Sequence, residues 1–336
     1  MPIDPSYLPP AASPMEADIR PDQPVPPLEE GILEPVPPSL TPREIPHLGH
    51  TLLFFLIVVL TGFVVGVAVA LAFMHVGPRL HQSAEQMQTN PLLVIPVEAI
   101  VYAIAAAISF LIFPLFWQRS FGQGVHWRAA IARGRWWMLV GIGVATSVIV
   151  QVLSNFLPIP KELPIDKFFT HPLGVWLIAV FGVTVAPAFE ELAFRGFLLP
   201  SLASAWDWVV ARMRGETPAL PADVGGWPAS AIVPPLPAET GVVNPASSDP
   251  HWSLPALVFS TIITSIGFAM LHGAQLAHSL APLCVLFAVS VVLCLTRLRF
   301  HSLAASTVVH AMYNLTIFVM LFIGTDGFRH LDKLGK

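Results

Sequence analysis

Seven stretches of this chain are apolar over about twenty residues or more, at roughly 51–74, 92–117, 136–157, 173–199, 255–275, 279–298 and 302–323. A helix rises ~1.5 Å per residue, so ~20 residues cross the ~30 Å of bilayer hydrocarbon. Within lipid, backbone polar groups must find partners inside their own segment, which leaves helices as the solution for isolated spans. The expected fold is therefore all-α, a polytopic membrane helix bundle of about seven to eight transmembrane helices. Composition agrees, with 54% hydrophobic and 11% charged residues and a mean hydropathy of +0.69. A soluble domain carries ~25% charged residues. No basic run points to nucleic acid.

The segments between the spans differ in character. Residues 1–47 hold fourteen of the 34 prolines and eight acidic residues against Arg20 and Arg43. Such a segment is expected to form a disordered tail. It has no basic start followed by an early apolar run, so it does not read as a secretory signal. Residues 48–170 carry the first helices, and 171–325 form a motif-bearing membrane core. A Pro- and Gly-rich loop at 211–255, with Trp227 and Trp252, interrupts that core, and 326–336 is a short tail. Trp117, Trp136, Trp137 and Trp176 fall at span ends, where indole rings favour the interface.

With the N-terminus placed in the cytoplasm, the inside segments hold ten arginines and the outside segments six Lys or Arg. That balance argues for an integral, multi-pass protein of a plasma or inner membrane with a cytoplasmic N-terminus. Cys284 and Cys294 lie ~15 Å apart along one helix, too far for a disulfide, and read as small buried apolar side chains. Gly62 and Gly66 form a GxxxG compatible with close helix packing.

The polar residues inside the spans carry the functional information. A charge at the bilayer centre costs at least ~2.5–3.5 kcal/mol on insertion scales. Yet the fourth span contains Glu190, Glu191 and Arg195 within six positions. Adjacent glutamates point ~100° apart on a helix, so they cannot share a pocket. Glu191 and Arg195 are spaced i, i+4 with the acid first, the favoured order for an ion pair. Glu190 faces Phe194 at the same spacing and must find a partner elsewhere. An acid held in apolar surroundings is a candidate general base. The fifth span supplies Phe268 and His272, and the last supplies His310 and Asn314 on one helix face. One base, two imidazoles and one amide suffice to activate water and hold an oxyanion. Glu98, near the start of the second span, reads as interfacial.

Depth is the difficulty with this grouping. Counted from 173 and 255, Glu190 and His272 each lie ~26 Å along their spans, toward opposite faces. For them to meet, the boundaries must move. Pro187 would break the fourth span, helix would continue past Pro200 toward Arg212, and the fifth span would start a turn later.

At EELAFR (190–195), FAMLH (268–272) and HAMYN (310–314), the chain resembles the CAAX prenyl protease type II family, also called the CAAX protease and bacteriocin-processing family. The resemblance covers roughly 173–325. It implies an intramembrane endopeptidase that hydrolyses membrane-associated peptide or protein substrates within the lipid bilayer. Glu190 and His272 would activate water, His310 and Asn314 would bind the oxyanion, and Glu191, Arg195 and Phe268 would support the site. The family has been described both as metalloprotease-like and as metal-free. No cofactor is expected to be required; if zinc is used, Glu190, His272 and His310 are the candidate ligands. Prokaryotic members act in peptide maturation, bacteriocin self-immunity and protein sorting, and nothing in this chain marks a eukaryotic prenyl-protein partner. The alternatives are a non-catalytic membrane scaffold or bacteriocin-immunity factor on the same fold, and an ion-coupled transporter. The lack of repeated halves argues against the transporter.

Overall fold

The computed structural model describes residues 46–80, 90–160, 163–169, 172–215 and 252–331. Among them there is helix and no strand. Seven helical stretches are long and apolar enough to cross a membrane. The predicted tail falls almost wholly outside the described residues, as do Trp227 and most of the 211–255 loop.

The helices are α1 (Leu48–Leu80), α2 (Pro91–Trp117), the short α3 (Phe121–Gly124) and α4 (Ala129–Gly134), and α5 (Trp136–Ser154). After a 3-10 turn at Pro164–Phe169 come α6 (Pro172–Val183), α7 (Val185–Glu191), a π-helical segment (Leu192–Leu198) and α8 (Leu199–Met213). The bundle closes with α9 (Leu254–Leu271), α10 (Leu280–Phe300) and α11 (Leu303–Gly324).

The stretch from Pro172 to Met213 forms one 42-residue candidate span, interrupted at a single residue. Helix does continue past Pro200, but the interruption comes elsewhere than expected. Pro187 lies in the first turn of α7, where a missing N–H costs nothing. The junction is at Thr184, whose φ of −117° and ψ of −73° separate α6 from α7. Pro200 likewise falls in the first turn of α8. Between them the π segment widens the helix by one residue per turn, a deviation common at functional sites. Such a segment loosens its own carbonyls. That of Phe197 accepts from the hydroxyls of Thr51, at 3.1 Å, and Ser201, at 2.7 Å. The first of these bonds ties α1 to the widened turn.

Two apolar layers build the core, and the first holds this stretch. Phe54 of α1, Phe113 and Trp117 of α2, and Phe189, Phe194 and Phe197 pack in one cluster. Phe54 stacks on Phe197 with centroids 4.4 Å apart. Trp117 belongs to this cluster and is only 6% exposed, so it is a core residue and not an interfacial anchor. Trp136, Trp137 and Trp176 are exposed, as span-end indoles should be. The second layer joins Leu139 of α5, Val289 and Leu293 of α10, and Ala305, Val309 and Tyr313 of α11.

The closest helix crossing does not use the GxxxG. A Cβ on Gly66 would meet nothing within 4 Å, and one on Gly62 would only touch Val101 at 4.0 Å. At Gly143 of α5, by contrast, a Cβ would lie 2.6 Å from the Val309 carbonyl oxygen and 2.7 Å from the Met312 Cβ. The absent side chain lets α5 seat directly on the α11 backbone, beside His310. We expect Gly143→Ala to destabilise the protein by ~1–3 kcal/mol, the usual effect of overpacking. Thermal melting in micelles checks this, with Gly66→Ala as the neutral comparison. The cysteines are both free; Cys294 is buried, whereas Cys284 is exposed and not a core residue as its sequence context suggested.

Candidate active site

Adjacent residues on the 172–213 stretch point to different surroundings. Phe189 and Phe194 enter the aromatic layer. Glu191 and Arg195 turn the other way, and both side chains are completely buried. Arg195 Nη1 donates to Glu191 Oε1 at 3.0 Å. Its Nη2 donates to the Ser290 hydroxyl at 2.5 Å and the Ser290 carbonyl at 3.1 Å. The guanidinium also lies 4.7 Å from the Phe268 ring centroid. Arg195 thus links the widened turn to α9 and α10.

Glu191 Oε1 has a second neighbour, His310 Nδ1 at 3.1 Å. The His310 side chain is 4% exposed. Its other nitrogen, Nε2, lies 3.7 Å from Glu190 Oε2. The histidine of α11 therefore bridges the two neighbouring carboxylates, one through each ring nitrogen. The first contact is a hydrogen bond. The second is too long for one and becomes an ion pair when the ring is protonated. Glu190 keeps 12% of its side chain exposed while Glu191 keeps none. Only Glu190 can be reached by water or substrate without moving a helix. Among the described residues its carboxylate makes no hydrogen bond.

His272 does not lie within the fifth helix but caps it, with φ −87° and ψ 3°. The helix begins at Leu254, so the expected late start is not seen. The His272 Nδ1 is 3.0 Å from the Phe268 carbonyl oxygen, which makes it the donor and leaves Nε2 as the open nitrogen. Phe268 is 1% exposed. Its ring centroid lies 4.9 Å from that of His272 and 5.7 Å from that of His310. One chain of contacts thus runs from Glu190 through His310 and Phe268 to His272. No hydrogen bond joins His272 directly to Glu190.

Asn314 sits one turn beyond His310, and its Nδ2 donates to the Gly182 carbonyl oxygen at 2.6 Å. That carbonyl precedes the Thr184 junction and would otherwise lack a helical partner. In this arrangement the amide closes the break between α6 and α7.

Two residues of α2 adjoin the site. Tyr102 stacks on Phe189 with centroids 4.0 Å apart and planes 11° apart. Its hydroxyl donates to Glu98 at 2.7 Å. Glu98 is half-buried and within electrostatic range of both Glu190 and His272. Glu98 thus faces the site as well as lying near the start of its span. The i, i+4 spacing of Glu98 and Tyr102 was the signal available in the sequence.

The three zinc candidates, Glu190, His272 and His310, are not gathered into one cluster here. Among the described residues no three His, Cys, Asp or Glu side chains are gathered closely enough to share a metal ion. His310 holds Nδ1 on Glu191 and keeps Nε2 toward Glu190, whereas His272 packs against Phe268.

No curated protein and no solved structure matches the chain. The family resemblance carried by the three motifs is borne out: residues 172–215 and 240–316, which include Glu190, His272, His310 and Asn314, match the family described as type II CAAX prenyl endopeptidase Rce1-like.

Proposed function

We propose that the chain is an intramembrane endopeptidase in which Glu190 activates water for attack on a peptide carbonyl of a membrane-associated substrate. The observation that carries this reading is the sorting of two adjacent carboxylates by burial. Glu191 is sealed and tied to Arg195 and His310, while Glu190 keeps an accessible carboxylate against the far nitrogen of the same imidazole.

In this reading Glu190 takes a proton from water, and the resulting hydroxide adds to the scissile carbonyl carbon. The oxyanion needs N–H donors aimed at it. His310 offers Nε2–H when protonated, oriented by the Glu191 carboxylate behind it. This is the logic of a buried acid that fixes an imidazole in one orientation. His272 presents its Nε2 from the other side of Phe268 and assists in handling the proton. Asn314 can join the oxyanion site only by releasing Gly182; otherwise it holds the helix break that shapes the site. The proton on Glu190 then passes to the departing amine as the carbon–nitrogen bond breaks, so one water is consumed per bond cut. Glu98 and Tyr102 supply the wall opposite the carboxylate. The arginine balance of the loops supports a cytoplasmic N-terminus.

The test uses reconstituted protein and a lipid-embedded peptide in water enriched in oxygen-18. One heavy oxygen is expected in the new C-terminal carboxyl, with cleavage unaffected by a zinc chelator. Products lacking the label would remove direct water attack, and full inhibition by chelator with recovery on zinc addition would replace the metal-free scheme.

A further inference from the structure

The arginine-rich end of the bundle, where α5 and α10 adjoin, carries a second feature. α5 begins at Trp136 and α10 ends at Phe300, so both helices meet the membrane boundary at the same end. Between them runs a groove of about 370 Å³ walled by Met138, Ile142, Val292 and Leu295. Arg135 and Arg299 stand at its mouth. The same two arginines line a second hollow of about 370 Å³ on the side of α4, with Ile131 and Gly134. The pair thus divides an apolar groove from a more polar pocket.

Four further observations indicate what fits there. Leu295 is 56% exposed and Met138 42%, so the groove opens outward to lipid and not into the bundle core. Trp136 and Trp137 are exposed beside it, stacked with centroids 3.5 Å apart, and mark the headgroup level. Residues 118–135 and 291–302 contain six arginines and no carboxylate. Among the described residues neither Arg135 nor Arg299 pairs with an acid. α5 also starts with no side chain capping its first N–H groups, which adds to the positive potential.

We infer that this groove binds one anionic phospholipid, with an acyl chain along Met138, Ile142, Val292 and Leu295 and the phosphate between Arg135 and Arg299. Guanidinium groups suit phosphate through paired N–H donors. Basic pockets between transmembrane helices hold anionic headgroups for the same reason. A zwitterionic lipid carries its own cation and gains less from two unpaired arginines. The site is separate from the peptidase reading and stands or falls without it.

The experiment titrates the purified full chain in neutral detergent with phosphatidylglycerol or phosphatidylcholine, reading retained lipid by native mass spectrometry and stability by melting. One retained phosphatidylglycerol and a raised melting temperature are expected, with little effect of phosphatidylcholine. The Arg135→Gln/Arg299→Gln pair should weaken phosphatidylglycerol retention at least about tenfold. Arg119→Gln/Arg133→Gln, at the same face, should leave it unchanged. Should the first pair fail to fold, Leu295→Trp, which fills the groove and keeps both arginines, should also expel the lipid. Equal retention of both lipids, equal loss in the control pair, an unaffected Leu295→Trp protein, or an equal melting shift from inorganic phosphate alone would each overturn the assignment.

Discussion

Glu190→Gln is expected to lower peptide cleavage by about a thousandfold while leaving the protein folded and inserted. A positioned general base contributes ~10²–10⁴ in rate. The amide keeps the size of the side chain and removes only its basicity. Stability should hold, because the Glu190 carboxylate makes no hydrogen bond among the described residues and its one close charge partner is His310 at 3.7 Å. The neighbouring Glu191→Gln variant sets the contrast. It changes an oxygen that both Arg195 and His310 contact, so it should lower the melting temperature as well as the rate. Substrate turnover and thermal melting, measured on the same micellar samples, separate the two. Wild-type cleavage by Glu190→Gln would end the proposed mechanism.

Much of this arrangement is legible in the sequence because the bilayer permits few solutions. Apolar length sets the spans, and the i, i+4 order of Glu191 and Arg195 correctly anticipates their ion pair. The same helix geometry overstates the separation of Glu190 from Glu191, because His310 lies between them and meets one carboxylate at each ring nitrogen. What escapes is information carried by partners distant in sequence. Helix past Pro200 is expected and is present, but the π segment before it, and the Thr51 hydroxyl that reaches the Phe197 carbonyl from α1, have no signal in the sequence. Trp117 has the composition of an interfacial anchor but finds Phe113 and Phe197 around it. Gly66 belongs to a packing motif and touches nothing, whereas Gly143, outside any motif, carries the tightest approach to α11. Asn314 has the chemistry of an oxyanion donor, but its amide is engaged by a carbonyl 132 positions away. Single-helix periodicity contains none of these facts.

Removing one side of the buried charge cluster should have the largest effect on stability. Arg195→Leu takes away the cation that serves Glu191, Ser290 and the Phe268 ring, all in surroundings closed to water. The carboxylate of Glu191 would then keep His310 and the Ser306 hydroxyl but no permanent cation. Breaking a buried ion pair from one side costs ~3–5 kcal/mol, because the remaining charge is desolvated without compensation. Glu191→Leu combined with Arg195→Leu should recover part of that loss, since a well-packed apolar pair of similar volume is often no worse than the ions it replaces. Activity should not recover with it. The double variant still lacks the oxygen that holds His310 Nδ1, so the ring loses the contact that aims Nε2 at Glu190. Melting temperature and cleavage rate should therefore part company between the single and double variants. If the double variant were both stable and fully active, the Glu191 contact to His310 would have no part in the reaction, and the imidazole would have to be oriented by its packing against Phe268 instead.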